Sequence, residues 1–238
     1  DVERSRGLGD VYKRQMSALA TLPQISYTAP GFDAAFMASL HEYGFASVVD
    51  HSLDDDRVAR IYGEWLAFFS SGEASGFRMD PVKQDGYFSL EEAEHAKGFV
   101  ERDFKEYFQF YPWGRCPESL QADLASHFAA AVDLGAELLN CIAGSLPEAV
   151  TAELTEPLRD MIHESEQSML RVLHYPPVPT GRSVLRAAPH EDINLLTLLP
   201  AADGPGLELQ LRSGEWISVP HSPGPVSYTH LTLPTIYS

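Results

Sequence analysis

The 238 residues carry 17 Lys and Arg against 34 Asp and Glu, a formal charge of −17, and so acidic a chain repels phosphate backbones, which argues against nucleic acid as a partner. The length is ample for one domain with a sizeable core, and two cysteines, Cys116 and Cys141, cannot build a disulfide framework. No uninterrupted apolar run reaches membrane-spanning length, so a protein of the reducing cytoplasm, with no membrane partner, is the expectation.

Both ends stand apart from the body. Residues 1–15 precede Met16, which reads as a start, and lack the basic flank and apolar stretch of a secretory leader. Residues 226–238 contain no Asp, Glu, Lys or Arg. The pieces DVYKRQ and VSYTHLTLPT resemble adapter-derived peptides found at the ends of translated assembly fragments, so both ends are set aside from the fold. For the tail, a final edge strand is the alternative.

In chain order, Phe36, Met37, Leu40 and Tyr43 fall at helical spacing over 33–43, with Gly44 as the stop. A short apolar strand is expected over 45–49, turning at Asp50-His51. Asp54, Asp55 and Asp56 then open a second helix reaching about Ser71, where acid suits the dipole. Residues 72–86 read as loop, and 91–107 as irregular with one helical turn. Leu120, Leu124, Phe128, Ala131, Leu138 and Ile142 mark one face of a long helix after Pro117, ending near Gly144. A further helix is predicted over 147–163 with a break or kink at Pro157. The period then changes to two: strands are predicted over 169–175, 184–188, 193–199, 207–211 and 216–219, the last two joined by a Ser213-Gly214 turn. Helices first and antiparallel strands last make an α+β plan with a jelly-roll core.

His190-Glu191-Asp192 is the chemical centre. On a strand, His190 and Asp192 share a face and Glu191 points opposite. One imidazole and one carboxylate so placed supply two of the three ligands of a 2-His-1-carboxylate iron site. The remaining histidines have plainer readings. His41, His95, His127 and His163 suit solvated or capping positions, His51 a turn hydrogen bond, and His174 the strand face opposite Tyr175. The charges of Asp103-Phe104-Lys105-Glu106 read as a solvated face.

The segments LRVLHYP (170–176), APHEDINLLTLL (188–199) and GLELQLRSGEWISVP (206–220), with LPQISY and LHEYGFASVVDHSL upstream, resemble the isopenicillin N synthase-like, 2-oxoglutarate-dependent Fe(II) oxygenases. ERDFKEYFQFYPWGRCP resembles a segment of the family's bacterial members. The resemblance covers about Leu22 to Gly224. It implies a double-stranded β-helix (jelly-roll) core, incomplete at the C-terminus, with an N-terminal helical region packed on it. The domain division expected is a leader at 1–15, the helical region at 16–167, a partial jelly-roll core at 168–225 and a tail at 226–238.

What the resemblance implies chemically is an oxygenase using Fe(II) and 2-oxoglutarate as co-substrate, with dioxygen and a small molecule as its partners. Such enzymes decarboxylate the oxoacid to succinate and carbon dioxide and oxidise a substrate C–H bond. His190 and Asp192 match the first two iron ligands. Tyr175 matches a tyrosine that contacts 2-oxoglutarate in some members and substrate in others; packing at a strand end is its alternative. The family's second histidine follows the first pair by roughly 50 residues, several strands on. His221 and His230 come earlier than that, and the family's Arg-x-Ser, which clamps the oxoacid carboxylate, is not found. An enzyme fragment cut before its site is complete is therefore the expectation. An oxidase without an oxoacid, and a non-catalytic jelly-roll binding module, are the alternatives.

Overall fold

The computed structural model describes residues 22–93, 102–181, 184–190, 192 and 194–219, and the backbone of 226–230. Expectations for 1–15, His95, Glu191 and His221 lie outside the described residues. By its contacts the chain divides into two units, Asp1–His51 with Asn194–Ser238, and Ser52–Ile193.

In the first unit, β1 (Gln24–Ser26) and β2 (Phe45–Val49) are joined by helix α1 (Phe32–Tyr43). The helix ends where the sequence places its stop. Gly44 takes a φ of 73° and donates its N–H to the Leu40 carbonyl, a left-handed cap that a side chain would strain. Ser39 Oγ donates to Phe45 O at 2.7 Å, tying the helix to the strand that follows it.

The hairpin of β7 (Glu208–Gln210) and β8 (Trp216–Ser218) turns through Gly214 at φ 86°. Leu209 and Ile217 face each other across it and are buried. They join Leu22 and Val219 in this unit's core, with Phe45, Val49 and Leu199 packed alongside. The residues flanking Leu209 and Ile217 are exposed, as the alternation of a one-faced strand requires.

Within this unit the sheet order is β1-β2-β9-β6, where β6 is Thr197–Pro200 and β9 is Val226–His230. The tail segment set aside on composition is thus paired on both sides, with Val48 opposite Ser227 and Leu198 opposite Thr229. It is an inner strand, not the edge strand offered as the alternative. The pairing of β1 with β2 is parallel.

The second unit holds α2 (Asp55–Ser71), α3 (Glu118–Ser145) and the sheet β3-β4-β5, made of Gly86–Phe88, Glu106–Phe110 and Leu170–His174. Asp54 caps α2 by accepting from Arg57 N–H at 3.0 Å. Arg60 forks onto Asp123 of α3 at 3.0 and 3.2 Å. The core between them is aromatic: Trp65, Phe68, Phe108 and Phe110 pack with Leu124 and Val172, and the Trp65 and Phe108 ring centroids lie 4.7 Å apart.

Helix α3 is long and apolar enough by length and composition to cross a membrane, contrary to the expectation of no such stretch. Asp133 and Glu137 interrupt its apolar run in sequence. In the fold, Leu124 on its inner side joins the aromatic core.

Three local expectations are corrected. Glu106 and Tyr107, the end of the stretch taken as irregular, open β4, the central strand of the second unit's sheet, because EYFQF buries Tyr107, Phe108 and Phe110. The helix expected over 147–163 is only α4 (Glu148–Thr151), followed by a 3-10 turn at Leu158–Met161. Pro157 opens that turn, so its effect is a full interruption and not a kink. Residues 184–188 form no strand, and the described residues of 194–199 contribute strand only from Thr197.

Candidate metal centre

His190 and Asp192 do not lie on a strand, so period-two alternation is not what brings them together. They meet nonetheless: His190 Nε2 stands 3.4 Å from Asp192 Oδ1. Pro189 removes a ladder donor just before the histidine. The described backbone of 184–190 is held instead by the residues that lead into β4. Phe104 N–H donates to Leu185 O at 2.9 Å, and Ala188 N–H donates to Asp103 Oδ1 at 2.9 Å.

From Ala188 the line of contacts reaches the imidazole. His190 Nδ1 lies 2.8 Å from Ala188 O, and a carbonyl only accepts, so Nδ1 carries the proton in that contact. The Nε2 lone pair of the neutral ring then faces the Asp192 carboxylate. Two acceptors opposed in this way favour a cation between them, either a proton on Nε2 or a metal ion. Accordingly the Asp192 carboxylate, aided by the Ala188 carbonyl, raises the His190 pKa above its ordinary value, while partial burial and the Lys105 charge pull the other way.

The pair fits an iron ion. Donors about 2.1 Å from one octahedral ion and adjacent to each other lie about 3 Å apart, close to the separation seen here. A ligating histidine usually donates its second N–H to a carbonyl or carboxylate, as Nδ1 does. The His190 side chain is 53% exposed and that of Asp192 29%, so an ion reaches them from solvent. Among the described residues no group of three or more His, Cys, Asp or Glu is placed to hold a metal. The side chain of His230 is not among those described.

Tyr175 follows directly on β5 and is partly buried. Burial raises the pKa of its hydroxyl, with a further push from the Asp103 charge and opposition from Arg186 and Arg171. The tyrosine therefore shares its surroundings with the carboxylate that holds Ala188.

Sequence reasoning missed Asp103 and Lys105. Both are buried, and Lys105 Nζ stands 2.8 Å from Asp103 Oδ2, so the solvated-face reading of that run is corrected. The signal available was their position just ahead of the apolar EYFQF strand. Glu106 turns elsewhere: its oxygens meet the Tyr87 hydroxyl and His174 Nδ1, the latter at 2.7 Å, and His174 stacks on Phe69. His174 is thus a structural residue, in keeping with its plainer reading. His127, read as solvated or capping, is instead buried on α3.

An imidazole–carboxylate pair with a carbonyl on the far ring nitrogen is compatible with a mononuclear non-haem metal site. Comparison with known proteins narrows the class. The model of the 2OG-Fe(II) oxygenase superfamily matches residues 166–230. A solved structure from Shewanella oneidensis, assigned as an oxygenase, is 39% identical with a TM-score of 0.80, covering 89% of this chain and 76% of that one. One from Caulobacter crescentus, assigned to the 2OG-Fe(II) oxygenase family, is 26% identical with a TM-score of 0.66, covering 90% and 74%. Gibberellin 2-beta-dioxygenase 1 of Pisum sativum is 22% identical over 212 residues, covering 84% of this chain and 63% of its own length. The chain spans less than two thirds of the length of this enzyme and of the gibberellin 2-beta-dioxygenases of Phaseolus coccineus and Arabidopsis thaliana that it also matches. It belongs to the 2OG-Fe(II) oxygenase superfamily, and its fold is the α+β, jelly-roll fold of those enzymes.

Proposed function

We propose that the full-length protein is a non-haem Fe(II), 2-oxoglutarate-dependent oxygenase that oxidises a C–H bond of a small molecule, with release of succinate and carbon dioxide. The observation that carries this reading is the contact of His190 Nδ1 with Ala188 O, which turns an Nε2 lone pair toward Asp192. His190 and Asp192 would be two of the iron ligands, and Tyr175 would contact the oxoacid. Iron at this site supplies activation of dioxygen and a coordination point for the oxoacid. The protein's own residues hold the imidazole in one tautomer, present the carboxylate beside it and shield the tyrosine hydroxyl from water.

Among the described residues two donors meet at this site, and two hold a divalent ion weakly, so the 238-residue chain by itself is expected to be inactive. Its free cysteines and an Fe(II) site both suit a reducing compartment, and the cytoplasm is proposed on that ground. The test is Fe(II)-dependent decarboxylation of 2-oxoglutarate by the full-length protein, lost in His190→Ala and Asp192→Ala. Oxygen uptake indifferent to 2-oxoglutarate would point to an oxidase resembling isopenicillin N synthase. Absence of Fe(II) binding by the full-length protein would point to a non-catalytic jelly-roll module.

A further inference from the structure

Asp103 is far from His190 in sequence, and nothing in the family's ligand set calls for it. Yet one line of polar contacts runs from it to the imidazole. Lys105 Nζ sits 2.8 Å from Asp103 Oδ2; Asp103 Oδ1 accepts from Ala188 N–H at 2.9 Å; Ala188 O accepts from His190 Nδ1 at 2.8 Å. We propose that Asp103 is a positioning residue for the metal centre: by anchoring Ala188 it keeps the carbonyl that fixes the His190 tautomer and leaves Nε2 free for the ion. The proposal rests on the reading of His190 as a metal ligand.

The physical case has three parts. First, the described residues of 184–190 form no ladder, and Pro189 lacks an N–H, so few backbone bonds are available to hold the segment. The two from 103–104, at Leu185 and Ala188, clamp it on the approach to the histidine. Second, Asp103 and Lys105 are 4% and 5% exposed. A buried carboxylate with one oxygen on an ammonium and the other on a backbone N–H is fully engaged and stiff. Third, Asp192 competes for the imidazole proton. If the Ala188 carbonyl drifts, the neutral ring gains more by moving its proton to Nε2 and donating to Asp192, which blocks the nitrogen the ion needs.

The test reads the tautomer directly, by long-range 1H–15N correlation of the His190 ring in the metal-free 238-residue chain, at a pH where the imidazole is neutral. The parent should show Nδ1–H. Asp103→Ala should shift the ring toward Nε2–H. The double variant Asp103→Ala/Lys105→Met avoids stranding a buried ammonium and should show the same shift if the single variant does not fold. Asp103→Asn keeps an acceptor for Ala188 N–H at equal volume and should retain Nδ1–H. In the full-length protein, anaerobic Fe(II) titration should show about a 10-fold loss of affinity in the alanine variants.

Nδ1–H persisting in a folded alanine or double variant, or lost in folded Asp103→Asn, would overturn the positioning role. Should the full-length parent bind Fe(II) no more tightly than its His190→Ala variant, the metal-ligand reading would fail instead, whatever the tautomer result.

Discussion

His190 Nδ1 lies 2.8 Å from the carbonyl oxygen of Ala188, two residues earlier in the chain. That contact, and not the strand geometry expected from the sequence, decides which ring nitrogen faces Asp192. It also separates ligation from stability, because the imidazole is largely exposed and contributes little packing.

His190→Ala should therefore leave the fold almost unchanged, within about 0.5 kcal/mol by chemical denaturation. In the full-length protein the same substitution should weaken Fe(II) binding by more than ~100-fold. A large loss of stability would mean that the histidine is a structural residue.

The aromatic core makes the opposite forecast. Phe108 is fully buried against Trp65, Phe68 and Phe77. Phe108→Ala should destabilise the chain by about 3–5 kcal/mol, read from the urea midpoint.

Gly86 has a φ of 105°, and a methyl group there would run into the Phe77 carbonyl oxygen. Gly86→Ala combines backbone strain with a clash against backbone, and should cost about 1–3 kcal/mol. Gly63, on α2 with open space around it, is the control: Gly63→Ala should be neutral or stabilising by up to about 1 kcal/mol.

Burial pushes the Cys116 thiol up to about 12. Between the ordinary thiol value near 8.5 and that pKa, the unfolded chain is thiolate while the folded one keeps its proton. The folded state then binds more protons, so this group's stabilisation is full below the unfolded value and is lost as pH rises through the folded one. At pH 8 Cys116 should react slowly with a disulfide reagent in the native protein and rapidly in denaturant, checked by peptide mapping.

What was legible in the sequence follows from local physics. The first three helices announce themselves through their period, with a stop signal at Gly44 and start signals at Asp54 and Pro117, and the hairpin through Gly214. The His190–Asp192 pair was legible as a spacing, but its cause was not. Pro189 denies the segment a ladder, and the contact that replaces it comes from Asp103, whose partner is remote in sequence. Long-range pairing of a buried charge leaves no periodic trace, so the run at 103–106 read as surface. The inner position of Val226–His230 was hidden for a related reason: sheet order depends on partners at 45–49 and 197–200, which composition does not reveal.

The central claim is most directly tested by release of labelled carbon dioxide from 1-14C-2-oxoglutarate by the full-length protein with Fe(II), beside its His190→Ala variant. Release by the parent, abolished in the variant and by chelation of the metal, is the expected result. A parent that binds no Fe(II) and releases no carbon dioxide, or a variant as active as the parent, would contradict it.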